Sequence, residues 1–253
     1  MKITIYQFAT AWLDPKRNLD LIETVCKQIN GQSDILILPE MFATGYIMDT
    51  RQLNPVWEQY TIDRLQLMAQ KYALHIGGSV PTTKNGSNFN TFVMVSDQGL
   101  MFTYNKIHLF TPAGEKDAYA AGNTTSSCNI NNWKIQSLIC YDLRFPYLAY
   151  GTEKADIIIY AANWPKARIS HWIALLRARA IENQCYVIGV NRTGRDENGY
   201  DYNGHSACFD FNGDEVVILD DLESFYTVTL DKSKLIAYRE KLPFLDDIKS
   251  DLL

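Results

Sequence analysis

The chain has little of what several large classes of protein require. Only 8 of its 253 residues are Pro and 14 are Gly, and no Gly/Ser/Pro-rich or low-complexity stretch interrupts it, which excludes collagen-like and linker-rich chains. Its longest apolar runs, such as Ile157 to Ala162, are about six residues, whereas a membrane-spanning helix needs about 20. Positive charge is short as well. With 24 Lys and Arg against 29 Asp and Glu, the formal net charge is -5, and no basic run with interleaved aromatics points to a nucleic-acid partner. The opening Met1-Lys2-Ile3-Thr4-Ile5-Tyr6-Gln7-Phe8 is too broken by polar residues for a signal peptide, so cytoplasmic residence is expected.

Cysteine and histidine are few and scattered. Cys26, Cys128, Cys140, Cys185 and Cys208 form an odd set with no C-x-x-C pair, which argues against a disulfide framework and against a zinc site. His75, His108, His171 and His205 show no metal-ligand spacing. Neither a metal nor a cofactor is expected.

What remains is ordinary globular material, 47% hydrophobic and 12% aromatic. A chain of this length can hide roughly 70 to 75% of its unfolded surface without metal or disulfide support. Ile3 to Phe8 reads as a buried strand. Asp14 and Pro15 supply an N-cap and a first-turn proline for a helix carrying Leu19, Ile22, Cys26 and Ile29 inward, and Gly31 is placed to end it. Ile35 to Leu38 is strand-length, so the chain opens β-α-β. A helix is predicted after Pro55, then strands around Ile76–Val80, Thr91–Val95 and Leu100–Tyr104, the last two joined at Asp97-Gln98-Gly99. Strands follow at Trp133–Ile139 and Asp156–Tyr160, with a short helix predicted around Phe145 to Tyr150. Ser170 is expected to cap a helix running to about Asn183. Four more strands are predicted, at Tyr186–Val190, Ser206–Phe211, Glu215–Leu219 and Tyr226–Leu230. The expectation is one α/β domain over residues 1–253, with more strands than a simple doubly wound sheet needs.

Functional residues in such folds gather just past the carboxyl ends of strands. Glu40, Lys106 and Cys140 stand at such places. Taken singly, each has a plain structural explanation: a surface acid, a solvated loop cation, a small buried apolar residue. Together they supply an acyl-transfer site. A thiol at a strand-to-helix turn is a nucleophile that needs a base, and an acyl carbon turned tetrahedral needs a positive partner for its oxygen. No histidine is tied to Cys140, so a buried glutamate beside an amine is the candidate base and a lysine the candidate oxyanion partner.

The segments Leu36-Ile37-Leu38-Pro39-Glu40-Met41-Phe42-Ala43-Thr44-Gly45-Tyr46, Tyr104-Asn105-Lys106-Ile107-His108-Leu109-Phe110 and Ile139-Cys140-Tyr141-Asp142-Leu143-Arg144-Phe145-Pro146 resemble, in order, the three motifs of the nitrilase (carbon-nitrogen hydrolase) superfamily. Leu176 to Gln184 and Val190 to Gly194 extend the likeness over essentially the whole chain. The resemblance implies an α-β-β-α sandwich, commonly a homodimer, with Cys140 as nucleophile, Glu40 as base and acid, Lys106 and the backbone N–H of Tyr141 at the oxyanion. Glu115, in Pro112-Ala113-Gly114-Glu115, matches a second family glutamate that positions the amide. Tyr147 departs from the glutamate that many relatives carry there, which argues against the generic aliphatic-amidase subgroup.

The wording around Glu40 and the stretch Asn163-Trp164-Pro165-Lys166-Ala167-Arg168-Ile169-Ser170-His171-Trp172 are similar to the omega-amidase branch, which implies 2-oxoglutaramate and 2-oxosuccinamate as substrates. Such substrates need a cation for their carboxylate. Arg168, and less directly Lys166, are candidates for it; Arg144 is expected to be a structural ion-pair partner. Phe42, Tyr46 and Trp164 are candidate pocket walls. Tyr238 to Asp247 resembles the family's closing segment, which often joins subunits. A nitrile or an N-carbamoyl amino acid remains an alternative substrate, and a non-catalytic interaction module on the same sandwich an alternative of another class.

Overall fold

The computed structural model describes residues 1–150 and 154–249. The first half of the chain supplies β1 (Lys2–Gln7), α1 (Pro15–Gln28), β2 (Ile35–Ile37), α2 (Trp57–Tyr72), β3 (His75–Lys84), β4 (Ser87–Ser96) and β5 (Gly99–Asn105). After α3 (Glu115–Ala118) come β6 (Ser127–Ile130), β7 (Trp133–Ile139), β8 (Ile157–Ala161), α4 (Ile169–Asn183) and β9 (Tyr186–Val190). The rest is β10 (Thr193–Arg195), β11 (Asp201–Asn203), β12 (Ala207–Phe209), β13 (Glu215–Ile218), β14 (Ser224–Thr229) and α5 (Lys232–Lys241).

α1 begins where the sequence places it. Asp14 Oδ1 accepts the Arg17 N–H at 3.0 Å, and Pro15 fills a first-turn position whose N–H would have no partner anyway. Leu19, Ile22, Val25 and Cys26 fall on one buried face.

Among the described residues the strands form two six-stranded sheets, ordered β14-β1-β2-β3-β4-β5 and β13-β12-β9-β8-β7-β6, with β10 and β11 a separate ribbon. The centre of each sheet is parallel, β1-β2-β3 in one and β7-β8-β9 in the other, and the flanking pairs are antiparallel. Central strands are buried on both faces, and their period of two sorts side chains between two cores. Ile35 and Ile37 of β2, with Phe92 and Met94 of β4, face the other sheet; Leu36 and Leu38, with Val93 and Val95, face α1 and α2. On the far side α4 presses Trp172 and Leu176 onto β9, where a Cβ at Gly189 would come within 2.5 Å of both. The result is the α-β-β-α sandwich. Each Ile or Leu buried in it stabilises the fold by about 1.5–3 kcal/mol. No helix among the described residues is long and apolar enough to cross a membrane.

Several local expectations are corrected. The helix predicted around Phe145 to Tyr150 is instead a pair of 3₁₀ turns, Cys140–Arg144 and Pro146–Leu148. Pro146 disfavours helical geometry at the residue before it, and Phe145 is extended at φ -115 and ψ 92. Ser170 is not a cap: a 3₁₀ turn at Lys166–Arg168 runs straight into α4, which puts Ser170 inside the first helical turn. β6, β10, β11 and α5 were not signalled. The three strands are only three or four residues long, and α5 has a weak apolar face with Leu235 as its one buried residue.

Candidate active site

The turns that follow β2, β5, β7 and β8 converge between the two sheets. Asn163, just past β8, joins them: its backbone N–H donates to Glu40 Oε2 at 2.9 Å and its Nδ2 to the Glu40 carbonyl at 3.0 Å. Met41, next to Glu40, has φ +47, and Cys140 has φ +43. Both are left-handed without being glycine, a conformation that costs an L-residue roughly 1–2 kcal/mol and persists where surrounding bonds impose it. At Cys140 those bonds come from Asp142, whose carboxylate accepts from Ile139 N–H at 3.1 Å, His108 N–H at 2.9 Å and Tyr104 Oη at 2.8 Å.

Lys106 Nζ lies 2.8 Å from Glu40 Oε1 and 2.8 Å from Glu115 Oε2, and all three side chains are 0% exposed. Asn90 Nδ2 donates to Oε1 of both glutamates. Glu115 also accepts from Tyr46 Oη at 3.0 Å and from Phe110 N–H at 2.6 Å. Two carboxylates thus share one ammonium out of reach of water. Burial pushes the Glu40 carboxyl up, against the pull of Lys106, and the charge of Glu115 adds to the rise. Burial pushes Glu115 the same way, but Lys106 and the donors around it win and hold it below its ordinary value. Burial alone would lower Lys106; the charges of Glu115 and Glu40 keep it well above its usual range, firmly an ammonium.

Cys140 is buried, with Sγ 3.8 Å from the Asn163 carbonyl. Burial and the nearby Glu40 raise its thiol well above the ordinary value, opposed by Lys106, so its proton stays until a base removes it. It lines a solvent-open cleft of about 430 Å³. Glu40, Lys106 and Glu115, fully buried beside it, are not among the residues that line that cleft. Cys26, Cys185 and Cys208 are core residues that do not line the cleft.

Tyr46, Tyr141, Trp164 and Arg168 line the same cleft. Phe42 does not. It packs in the core between α1, α2 and the first sheet, against Gly78, where a Cβ would come within 2.7 Å of its ring. Lys166 is exposed and outside the lining. Arg144 also departs from expectation. Among the described residues it pairs with no carboxylate; its guanidinium lies 4.8 Å from the centre of the Trp164 ring and its Nη2 reaches His171 Nδ1 at 3.3 Å. Arg168 lies similarly 5.6 Å from the centre of the Phe110 ring, so two guanidiniums edge the cleft on aromatic faces. Tyr147, at the departure from the family pattern, is largely exposed and bonds to His108 Nε2.

Sequence reasoning missed Asn90, Asn163, and the Tyr200 and Tyr202 that line the cleft from the β10–β11 ribbon. Asn163 follows a strand end, a signal of the kind that found Glu40. Asn90 lies in mid-strand and carried none.

The family model for carbon-nitrogen hydrolase matches residues 2–240. The chain is 38% identical over 257 residues to the omega-amidase YafV of Yersinia enterocolitica, an alignment covering 100% of this chain and 98% of that one. It is 32% identical to the 2-oxoglutaramate amidase of Bacillus subtilis, over 99% of this chain and 98% of that one. Among solved structures, a CN-hydrolase superfamily protein from Xanthomonas campestris superposes with a TM-score of 0.94 at 34% identity, covering 99% of this chain and 97% of that one.

Proposed function

Since the chain belongs to the carbon-nitrogen hydrolase family and is a cysteine-dependent amidase of the nitrilase superfamily, we propose that it removes the terminal amide of small 2-oxo dicarboxylate monoamides, 2-oxoglutaramate and 2-oxosuccinamate, as ammonia. The observation that carries this reading is one cleft holding both a thiol backed by a buried Glu-Lys-Glu cluster and two guanidiniums without a carboxylate partner among the described residues. The relatives named omega-amidase and 2-oxoglutaramate amidase support this choice of substrate.

In this reading Glu40 takes the Cys140 thiol proton as Sγ attacks the amide carbon. The oxygen that gains charge is met by the Lys106 ammonium and by the Tyr141 N–H. Glu40 then gives its proton to the departing nitrogen, the C–N bond breaks and ammonia leaves a thioester on Cys140. Water, losing its proton to Glu40, attacks the thioester carbon; the C–S bond breaks and the proton returns to sulfur. Glu115 fixes Lys106 and faces the amide. Arg168, with Arg144 beside it, grips the substrate carboxylate through guanidinium N–H groups, and Tyr46 and Trp164 wall the acyl chain.

A homodimer and cytoplasmic residence belong to the same reading. The side chains of Ile181, Ile236 and Phe244, apolar yet exposed, support the first; the free state of all five cysteines fits a reducing compartment. The test is ammonia release from 2-oxoglutaramate set against glutamine, an aliphatic nitrile and an N-carbamoyl amino acid. The 2-oxo amide should be turned over fastest; a preference for the nitrile or the carbamoyl compound would move the substrate to another carbon-nitrogen bond.

A further inference from the structure

Asn90 is fully buried on β4 and does not line the cleft. Its Nδ2 donates to Glu40 Oε1 at 2.8 Å and to Glu115 Oε1 at 3.0 Å. Its Oδ1 accepts from Ser79 Oγ at 2.8 Å, and Ser79 Oγ in turn accepts the Met41 N–H at 2.9 Å. A primary amide has two hydrogens on nitrogen, and both go to carboxylates; a hydroxyl has one, and it goes to Asn90. Every bond in this chain therefore runs one way, from the Met41 backbone through Ser79 to Asn90 and on to the two acids. Turned over, the amide would set its oxygen against two carboxylate oxygens, so Ser79 fixes which end faces them.

Lys106 reaches the same two Oε1 atoms, and the Asn163 N–H occupies the other oxygen of Glu40. Among the described residues Glu40 thus accepts three N–H groups and no hydroxyl. The other titratable groups facing the two acids are Cys140 from the turn after β7, Tyr46 from the loop after β2, Tyr119 after α3 and Tyr202 from β11. Burial, aided by the two carboxylates, keeps Tyr46 and Tyr119 protonated, and burial with Asp196 does so for Tyr202. The mobile proton is left to the thiol and the acids. Two carboxylates this close hold separate charges only while donors stand between them.

We propose that Asn90, oriented by Ser79, is a positioning residue that keeps Glu40 ready to accept the thiol proton by donating to both glutamates at once. This rests on the reading of Glu40 as the base. Asn90 does not line the cleft, and its side chain bonds the two acids and Ser79, so its removal acts through these neighbours.

The experiment is the pH profile of kcat/KM on 2-oxoglutaramate for the wild type, Asn90→Leu and Ser79→Ala, with Glu40→Gln as reference and thermal melts as the folding control. Asn90→Leu should lose kcat with KM nearly unchanged, and its acid limb should move up by roughly one to two pH units, since losing a donor makes the carboxylate harder to ionise. Ser79→Ala should move the limb the same way by less. An acid limb unmoved in both variants overturns the proposal. If Asn90→Leu does not fold, Ser79→Ala decides by the same criterion. Inert Glu40→Gln beside wild-type limbs in both variants would sink the role of Asn90 alone. Wild-type turnover by Glu40→Gln would remove the base, and this inference with it.

Discussion

In the buried floor beside Cys140, Glu40, Lys106 and Glu115 have no exposure to solvent, and every carboxylate oxygen is bonded to a donor from the protein. At the rim, Arg144 and Arg168 are half-buried over the rings of Trp164 and Phe110, with no carboxylate partner among the described residues. The two regions treat charge differently. On the floor, charge taken out of water is fully engaged; replacing such a cluster by apolar residues is often neutral or stabilising, so its retention points to chemistry rather than stability. At the rim the guanidinium faces rest on aromatic rings while their N–H edges keep capacity for an anion. In the proposed reading, fixed charge serves the reacting atoms and uncommitted charge serves recognition.

Substitutions should separate the two regions by the constant they change. The largest effect is expected on the floor. Glu40→Gln keeps the shape of the acid but cannot accept the thiol proton, so kcat should fall by about 10³-fold, the scale of a lost general base. The pH profile has a definite sign: because the Glu40 carboxyl is held above its ordinary value, turnover should fail on the acid side as pH drops through that raised value, above the usual carboxylate pKa of about 4.3. A limb at the ordinary value would mean that the floor is not the base.

At the rim, Arg168→Ala or Arg144→Ala should raise KM for 2-oxoglutaramate by about 10- to 100-fold through lost charged hydrogen bonds, with kcat little changed. A neutral aliphatic amide should not notice the change. Should kcat fall instead, the division between floor and rim collapses. The smallest effect belongs far from both. Asp14→Ala removes the cap of α1 and should cost about 1 kcal/mol in a denaturation curve while leaving both kinetic constants alone.

The sequence was most legible where a motif and a strand end coincide. Glu40, Lys106 and Cys140 each follow a strand whose composition marks it, and short turns leave them little freedom of placement. Phe42 shows where that reasoning fails. It sits two residues from Glu40, yet the left-handed turn at Met41 sends Glu40 between the sheets and Phe42 into the helical side against Gly78. Arg144 was misread because its ring partner, Trp164, comes from a different loop, and a sequence shows a charge without showing what lies beneath it. Asn90 and Ser79 were invisible for a related reason: Asn90 meets an acid 50 positions away, and Ser79 a backbone N–H 38 positions away, across strands whose pairing no local pattern sets.

The most direct test of thiol catalysis on this floor is the mass of the peptide bearing Cys140, taken from enzyme quenched in acid during turnover of 2-oxoglutaramate, with ammonia release followed in parallel for Cys140→Ala. An acyl group on that peptide, together with no ammonia from Cys140→Ala, is the expected result. Undiminished ammonia release from Cys140→Ala, or the acyl group on any of the other four cysteines, would contradict it.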